Sequence, residues 1–238
     1  MRLLRYLLPL AGAVALVSSG APAHAQGAHP SVLGLSGDLL SPTNDFVGAR
    51  QYALNAHLVT GGDDIRIFSG NYGVSNRLEI GVAVFDVGTG PFDQEVIFNA
   101  KWLLMREGDG DPVTVSIGAV DLTDEIGLDP GIYIYASKNV SRWFGAEREA
   151  GSPGSVEIGA GIGGGIYHNL VVNGRLVLTR DLTVFAEFFD DQRIVDTGTT
   201  LNVGGRLAVG QQLAVVLALY DLSDLGIGIS WRSGGRSE

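Results

Sequence analysis

From Gln51 onward apolar and polar residues alternate one by one, and this period of two restricts the chain to β-strands with one oily face and one polar or small face. Successive strand side chains point to opposite sides of a sheet. In RLEIGVAVF, Leu78, Ile80, Val82 and Val84 therefore share one face, and Arg77, Glu79, Gly81 and Ala83 share the other. QYALNAHL sets Tyr52, Leu54, Ala56 and Leu58 against Gln51, Ala53, Asn55 and His57. EVIFNAKWLL sets Val96, Phe98, Ala100 and Trp102 against Glu95, Asn99 and Lys101. The pattern returns in VTVSIGAV, SVEIGAGIGGG, NLVVNGRLVL, LTVFAEFF, TTLNVGGRL, LAVVLALY and LGIGISW, with IRIFSGNYG and GIYIYASK less clear in facing, which makes about twelve strands. Turn-forming residues near Val74, Thr179, Ala208 and Asp221 separate them as hairpins, and residues 139–155 form the one stretch long enough for a real loop. No later segment carries a sustained helical period, so the expected fold is all-β: a single up-and-down antiparallel β-barrel over residues 51–232, with a tail at 233–238.

The N-terminus reads differently. Arg2 and Arg5 precede an apolar run from Leu7 to Val17, and Ala23-His24-Ala25 offers a small-x-small cleavage site, so residues 1–25 are expected to be a secretion signal cut after Ala25. Residues 26–50 form an N-terminal segment without helical or strand periodicity that leads into the barrel. Removing the signal takes away two arginines and no acid, moving the net charge from −10 to −12, and this acidic balance argues against nucleic acid as a partner. With no cysteine, an exported chain has neither a disulfide framework nor a thiol for lipid attachment.

Alternation alone does not tell a membrane barrel from a soluble one, because the two differ only in which face looks outward. Charged residues make up 18% of the chain, below the usual value of about 25%. Many polar-face positions are glycine, asparagine or threonine, which suits a close-packed lumen better than a wetted surface. The expectation is an outer-membrane barrel whose partners are lipid and the barrel-assembly machinery, with Tyr52, Trp102, Phe188 and Trp231 on the oily face. Glu79, Lys101, Glu157, Arg175, Glu187 and Arg206 then become the lumen-facing candidates, either shaping permeation or filling the barrel as a structural network.

Several stretches in combination resemble the YjbH-type family of bacterial outer-membrane barrels. LSGDLLSPTNDFVGARQYALNAH is similar to that family's opening lead, with Pro42, Thr43 and Gly48 in place. NYGVSNRLEIGVAVFD matches around Asn71, Tyr72, Gly73 and Leu78 to Gly81, and FNAKWLL, VDLTDE and ASKNV follow in order. The resemblance implies an outer-membrane barrel associated with exopolysaccharide, hence polysaccharide as a partner. It departs at the C-terminus, where Trp231 is followed by RSGGRSE instead of closing the chain on an aromatic residue.

Chemistry-bearing motifs are sparse. His57 and His168 are the histidines left outside the signal and the N-terminal segment, so no catalytic residue is assigned and no cofactor or metal is expected. GAGIGGG at 159–165 lacks a P-loop's Lys-Ser/Thr and reads as strand glycine. The acidic clusters at 108–111 and 120–125 lack EF-hand spacing and read as turns. The expected function is a non-enzymatic narrow channel or envelope accessory. The alternatives are a lipid-modifying barrel, which needs His57 or His168 beside a serine or acid, and a soluble periplasmic barrel binding an apolar ligand.

Overall fold

The computed structural model describes residues 28–61, 64–86, 94–125, 129–192 and 198–233. The expected secretion signal and nearly all of the C-terminal tail lie outside the described residues. Twelve strands run in sequence: β1 (Tyr52–Thr60), β2 (Ile65–Gly73), β3 (Leu78–Asp86), β4 (Gln94–Met105), β5 (Thr114–Val120) and β6 (Gly131–Asn139). They continue as β7 (Val156–Gly163), β8 (Asn169–Val177), β9 (Leu182–Gln192), β10 (Gly198–Val209), β11 (Leu213–Tyr220) and β12 (Asp224–Arg232). Each is antiparallel to its neighbour in sequence, and β1 closes on β12 from Ala53↔Arg232 to Thr60↔Leu225. The expected up-and-down barrel is the observed fold, and closure leaves no strand edge unpaired. We call the end where Gln51 leads into β1 and Arg232 leaves β12 the near rim, and the other end the far rim.

Short polar turns pin the register. Between β2 and β3 the Ser75 hydroxyl accepts from the amides of Arg77 and Leu78 at 3.1 and 3.0 Å. Between β8 and β9 Thr179 repeats the device with Asp181 and Leu182 at 3.2 and 3.1 Å. The connection of residues 140–155 is the long one on the near rim, while β5 and β6 are separated by a second sizeable stretch, 121–130, on the far rim. The glycine run departs from its strand reading at one point. β7 stops at Gly163, and Gly165–Tyr167 form a 3-10 turn folded into the lumen, with Ile166 and Tyr167 both buried. Gly165 takes a φ of 60°, a left-handed backbone that suits glycine and turns the chain inward there.

The outer face is apolar. Leu54, Phe68, Ile80, Phe98, Trp102, Ile132, Ile162 and Ile229 are all exposed on it. Among the described strands, charged residues on outward positions are confined to Arg66, Asp86, Lys138 and Asp190, each within three residues of a strand end. Tyr52, Tyr72, Trp102 and Trp231 gather towards the near rim, where the Tyr52 and Trp231 rings lie 5.5 Å apart. A soluble barrel holding an apolar ligand requires the inverse distribution, oily inside and charged outside, so the structure overturns that alternative.

The inner face changes character along its length. Near the middle and the near rim it carries Asn55, Ser69, Asn71, Asn99, Ser137 and Asn173, while towards the far rim Val59, Ile67, Phe85, Ile97, Val120, Val171, Phe189 and Tyr220 form an apolar cluster. The N-terminal segment occupies this interior. Every residue from His29 to Thr43 is buried, and Val32, Leu33, Leu35, Leu39 and Leu40 pack into the apolar cluster. The segment goes in and returns on the same side, since His29 Nδ1 meets the Ser230 hydroxyl of β12 at 2.8 Å and Arg50 N–H donates to Gly73 O at 2.6 Å, both near that rim. It crosses the wall at its tightest where Gly34, with a φ of 79°, lies on Gly81 of β3.

A methyl group on Gly81 would stand 1.8 Å from Gly34 O, so Gly81→Ala is expected to push the segment off β3 and destabilise the protein by about 1–3 kcal/mol, as overpacking of a filled core does. Gly174→Ala serves as the control, because its added methyl would meet nothing nearer than Glu157 O at 3.9 Å. Urea unfolding of both variants in detergent, with proteolysis at Arg50 as the local probe, checks this. Equal stability of the two variants would contradict it.

Candidate functional site

The six charged candidates lie on the inner face of their strands, and five of them bond directly to the N-terminal segment. Glu79 on β3 and Lys101 on β4 are cross-strand partners, 3.8 Å apart, with both side chains fully buried. The Glu79 carboxylate accepts from the Ser36 amide at 2.5 Å, the Ser36 hydroxyl at 2.7 Å and the Val47 amide at 2.9 Å. Lys101 Nζ donates to three carbonyls of the segment, Ser36 O, Thr43 O and Asp45 O, at 2.9, 3.1 and 2.8 Å, and sits 4.4 Å from the Phe46 ring centroid.

On the opposite wall Glu187 of β9 holds the next bend. Its carboxylate accepts from three consecutive amides, Leu39, Leu40 and Ser41, at 2.8, 3.1 and 3.1 Å, and from the Ser41 hydroxyl at 2.6 Å. Three successive N–H groups converging on one carboxylate form a nest, the backbone's own anion site. Arg206 of β10 donates to Gly37 O and Asp38 O at 2.8 and 3.2 Å. Arg175 of β8 bonds Asp45 through two nitrogens, one at 3.0 Å, and also Glu157 of β7, its cross-strand partner, at 2.9 Å. Glu157 is thus the candidate that reaches the segment through another residue.

Neutral groups complete the hold. Asn99 donates to Leu33 O, the Ser69 hydroxyl to Ser31 O at 2.9 Å, and Asn173 to Asp38 and the Ser41 hydroxyl at 3.2 and 3.1 Å. Tyr167, from the inward 3-10 turn, donates to Leu40 O at 2.7 Å. Tyr135 lies across Gly159, where a methyl group would collide with its hydroxyl, and bonds Asn173. The lumen glycines therefore make room for aromatic rings that fill the barrel. Buried backbone without secondary structure must find hydrogen-bond partners, and here wall side chains supply them.

A cavity of about 900 Å³ opens as a mouth on the near rim. Asn44 and Asp45 of the segment, Arg175 and Arg206 of the wall, and Trp143 and Arg148 of the long connection line it, so its inner end is the segment itself. The histidines of the enzymatic alternative are dispersed. His57 Nε2 meets the Tyr220 hydroxyl at 3.0 Å inside the barrel, while His168 Nδ1 stands 3.0 Å from Asp191 Oδ2 at the far rim, without hydrogen-bond alignment. His168 thus has the neighbouring acid that alternative asks for, while among the described residues neither ring hydrogen-bonds a serine that could act as a nucleophile. The acidic clusters serve as turns: Asp111 accepts from the Arg106 amide at 3.0 Å, and Asp121 from the Glu125 amide at 3.1 Å.

Sequence reasoning missed the segment's own contribution, Ser36, Asp38, Ser41 and Asp45. One signal was available. LGLSGDLLSPT is too rich in leucine for a wetted linker, and its serines and threonine recur between the leucines like the polar atoms of a buried strand of chain.

No protein-family model matches this chain, and no curated protein matches it in sequence. Among solved structures it is similar to the KdgM porin, at 10% identity over 77% of this chain and 99% of that one, with a TM-score of 0.54. It is also similar to the Acinetobacter baumannii outer membrane protein Omp33, at 10% identity over 77% of this chain and 98% of that one, with a TM-score of 0.51. At such identity the likeness is one of fold.

Lys101→Met is expected to destabilise the protein by about 3–5 kcal/mol, because it leaves the buried Glu79 carboxylate without its cation and the Thr43 and Asp45 carbonyls without the donor that holds them. Adding Glu79→Gln removes the stranded charge and recovers part of that loss. A double-mutant cycle by urea unfolding measures the coupling, and additive single effects would show that the pair does not hold the segment as described.

Proposed function

We propose that this chain is a non-enzymatic outer-membrane β-barrel whose lumen is sealed by its own N-terminal segment, a porin-like channel that conducts only when residues 29–47 leave their seat. The observation that carries the proposal is that Glu79, Lys101, Glu187 and Arg206, the wall charges best placed to line a pore, spend their hydrogen bonds on this segment. Membrane residence is supported by an apolar outer face whose middle carries no charge among the described residues, and by its aromatic residues near one rim. Placing Arg or Lys at the bilayer midplane on that face costs about 2–4 kcal/mol, and the outward charges stay near strand ends. The fold shared with outer-membrane porins agrees with this reading. We further propose affiliation with the YjbH-type barrels and a link to exopolysaccharide, which the motifs around Pro42, Thr43, Gly48 and Asn71 to Gly73 support.

Planar bilayers test the channel. The native chain is expected to show rare openings, and Glu79→Ala combined with Glu187→Ala to raise the open fraction at least tenfold. Asn44 Nδ2 donates to the Ser137 hydroxyl at 2.8 Å, so in this cysteine-free chain Asn44→Cys with Ser137→Cys can be oxidised to fasten the segment to β6. The fastened form should be silent and regain openings on reduction. A folded, heat-modifiable Glu79→Ala/Glu187→Ala variant that never conducts would sink the channel reading, and full conductance through the fastened form would sink the seal.

A further inference from the structure

The wall recognises the segment mainly through its main chain. Glu79 and Glu187 together take five backbone amides, from Ser36, Val47, Leu39, Leu40 and Ser41. Lys101 and Arg206 take five carbonyls, from Ser36, Thr43, Asp45, Gly37 and Asp38. This is how a protein holds a peptide ligand, with backbone bonds giving affinity and a few side chains setting register. The segment contributes no strand to the barrel, whose sheet closes on itself from β1 to β12. Its covalent tie to the barrel runs through Ala49 and Arg50, both exposed at the near rim.

We propose that the lumen is a peptide-binding site, occupied in cis by residues 28–47, that takes the same class of peptide in trans. The ligand class can be written from the contacts. A glycine is required where Gly34 crosses the wall, because a methyl group there would stand 2.3 Å from Val82 O. Two residues on, a small hydroxyl residue matches Ser36, whose oxygen donates to Glu79 and accepts from Asn71 at 2.9 Å. A short acid follows at Asp38 for Asn173, a second hydroxyl at Ser41 for Glu187, and an acid at Asp45 for Arg175. Leucines at 33, 35, 39 and 40 fill the apolar cluster beneath. A peptide of the pattern Leu-Gly-Leu-Ser-Gly-Asp-Leu-Leu-Ser-x-Thr-x-Asp therefore fits, including the same segment offered by a second copy of this chain. The site does not depend on whether the emptied barrel conducts.

The test uses the whole chain with a protease site inserted between Ala49 and Arg50, folded in detergent and then cut. The probe is a fluorescent synthetic peptide of residues 28–47. After cutting, the native segment is expected to stay with the barrel through gel filtration and to exchange with the probe, giving a saturable rise in anisotropy that unlabelled peptide reverses. A peptide of the same composition in reversed order should not compete. Glu187→Gln in the cut barrel should weaken probe binding about tenfold or more, the loss of charge-assisted bonds to three amides. Loss of the segment on cutting with no probe uptake by a still-folded barrel would overturn the proposal, and so would equal binding of the reversed peptide. Unfolding of the barrel on cutting would overturn it as well, since the segment would then be part of the fold and not a ligand. Cut barrels that exchange peptide yet never conduct would sink only the channel reading.

Discussion

Two buried carboxylates and the backbone amides of one irregular segment depend on each other, and the interior of this barrel follows from that dependence. An ionised carboxylate taken out of water carries a penalty of several kcal/mol unless it is paired and hydrogen-bonded. A buried amide left without an acceptor costs about 1–3 kcal/mol. Glu187 and Glu79 satisfy five amides between them, while those amides, with Ser36, Ser41 and Lys101, are what allow the carboxylates to be buried. Neither group can be buried without the other, so wall carboxylates and segment amides are either buried together or wetted apart.

That dependence explains why the charges of the strands sit where they do. The outer face excludes charge except near strand ends, and on the inner face the charges that bind the segment lie in a tier from the middle of the strands to the near rim. Below this tier the inner wall turns apolar and takes up the segment's leucines, so the far end is closed by hydrophobic packing and the near end by ion pairs. The inward turn at Gly165–Tyr167 ties the two tiers together, since the Tyr167 ring stacks among Tyr133 and Phe189 while its hydroxyl holds Leu40 O.

A barrel built this way can share a fold with the KdgM and Omp33 structures at 10% identity. Wall strands need only alternation, short turns and a register, and many sequences supply those. What fills the barrel is set by particular inward residues, such as Lys101 opposite Glu79 and Glu187 opposite Asn202, which alternation leaves free to vary.

Sequence alone determined the strands, their approximate count, their sequential pairing and, in all but IRIFSGNYG and GIYIYASK, their facing, because a period of two is a local property that each strand states for itself. It also put Glu79, Lys101, Glu157, Arg175, Glu187 and Arg206 on the polar face, since facing follows from position within a strand. It could not say what those charges touch. Residues 29–47 carry no period, and their partners lie far along the chain, Glu187 being 148 residues from Leu39. Only closure of β1 on β12 brings those partners around one space. The sealed lumen was therefore a decision of the tertiary structure, reached because the segment's amides and the wall's carboxylates have no other way to be buried together.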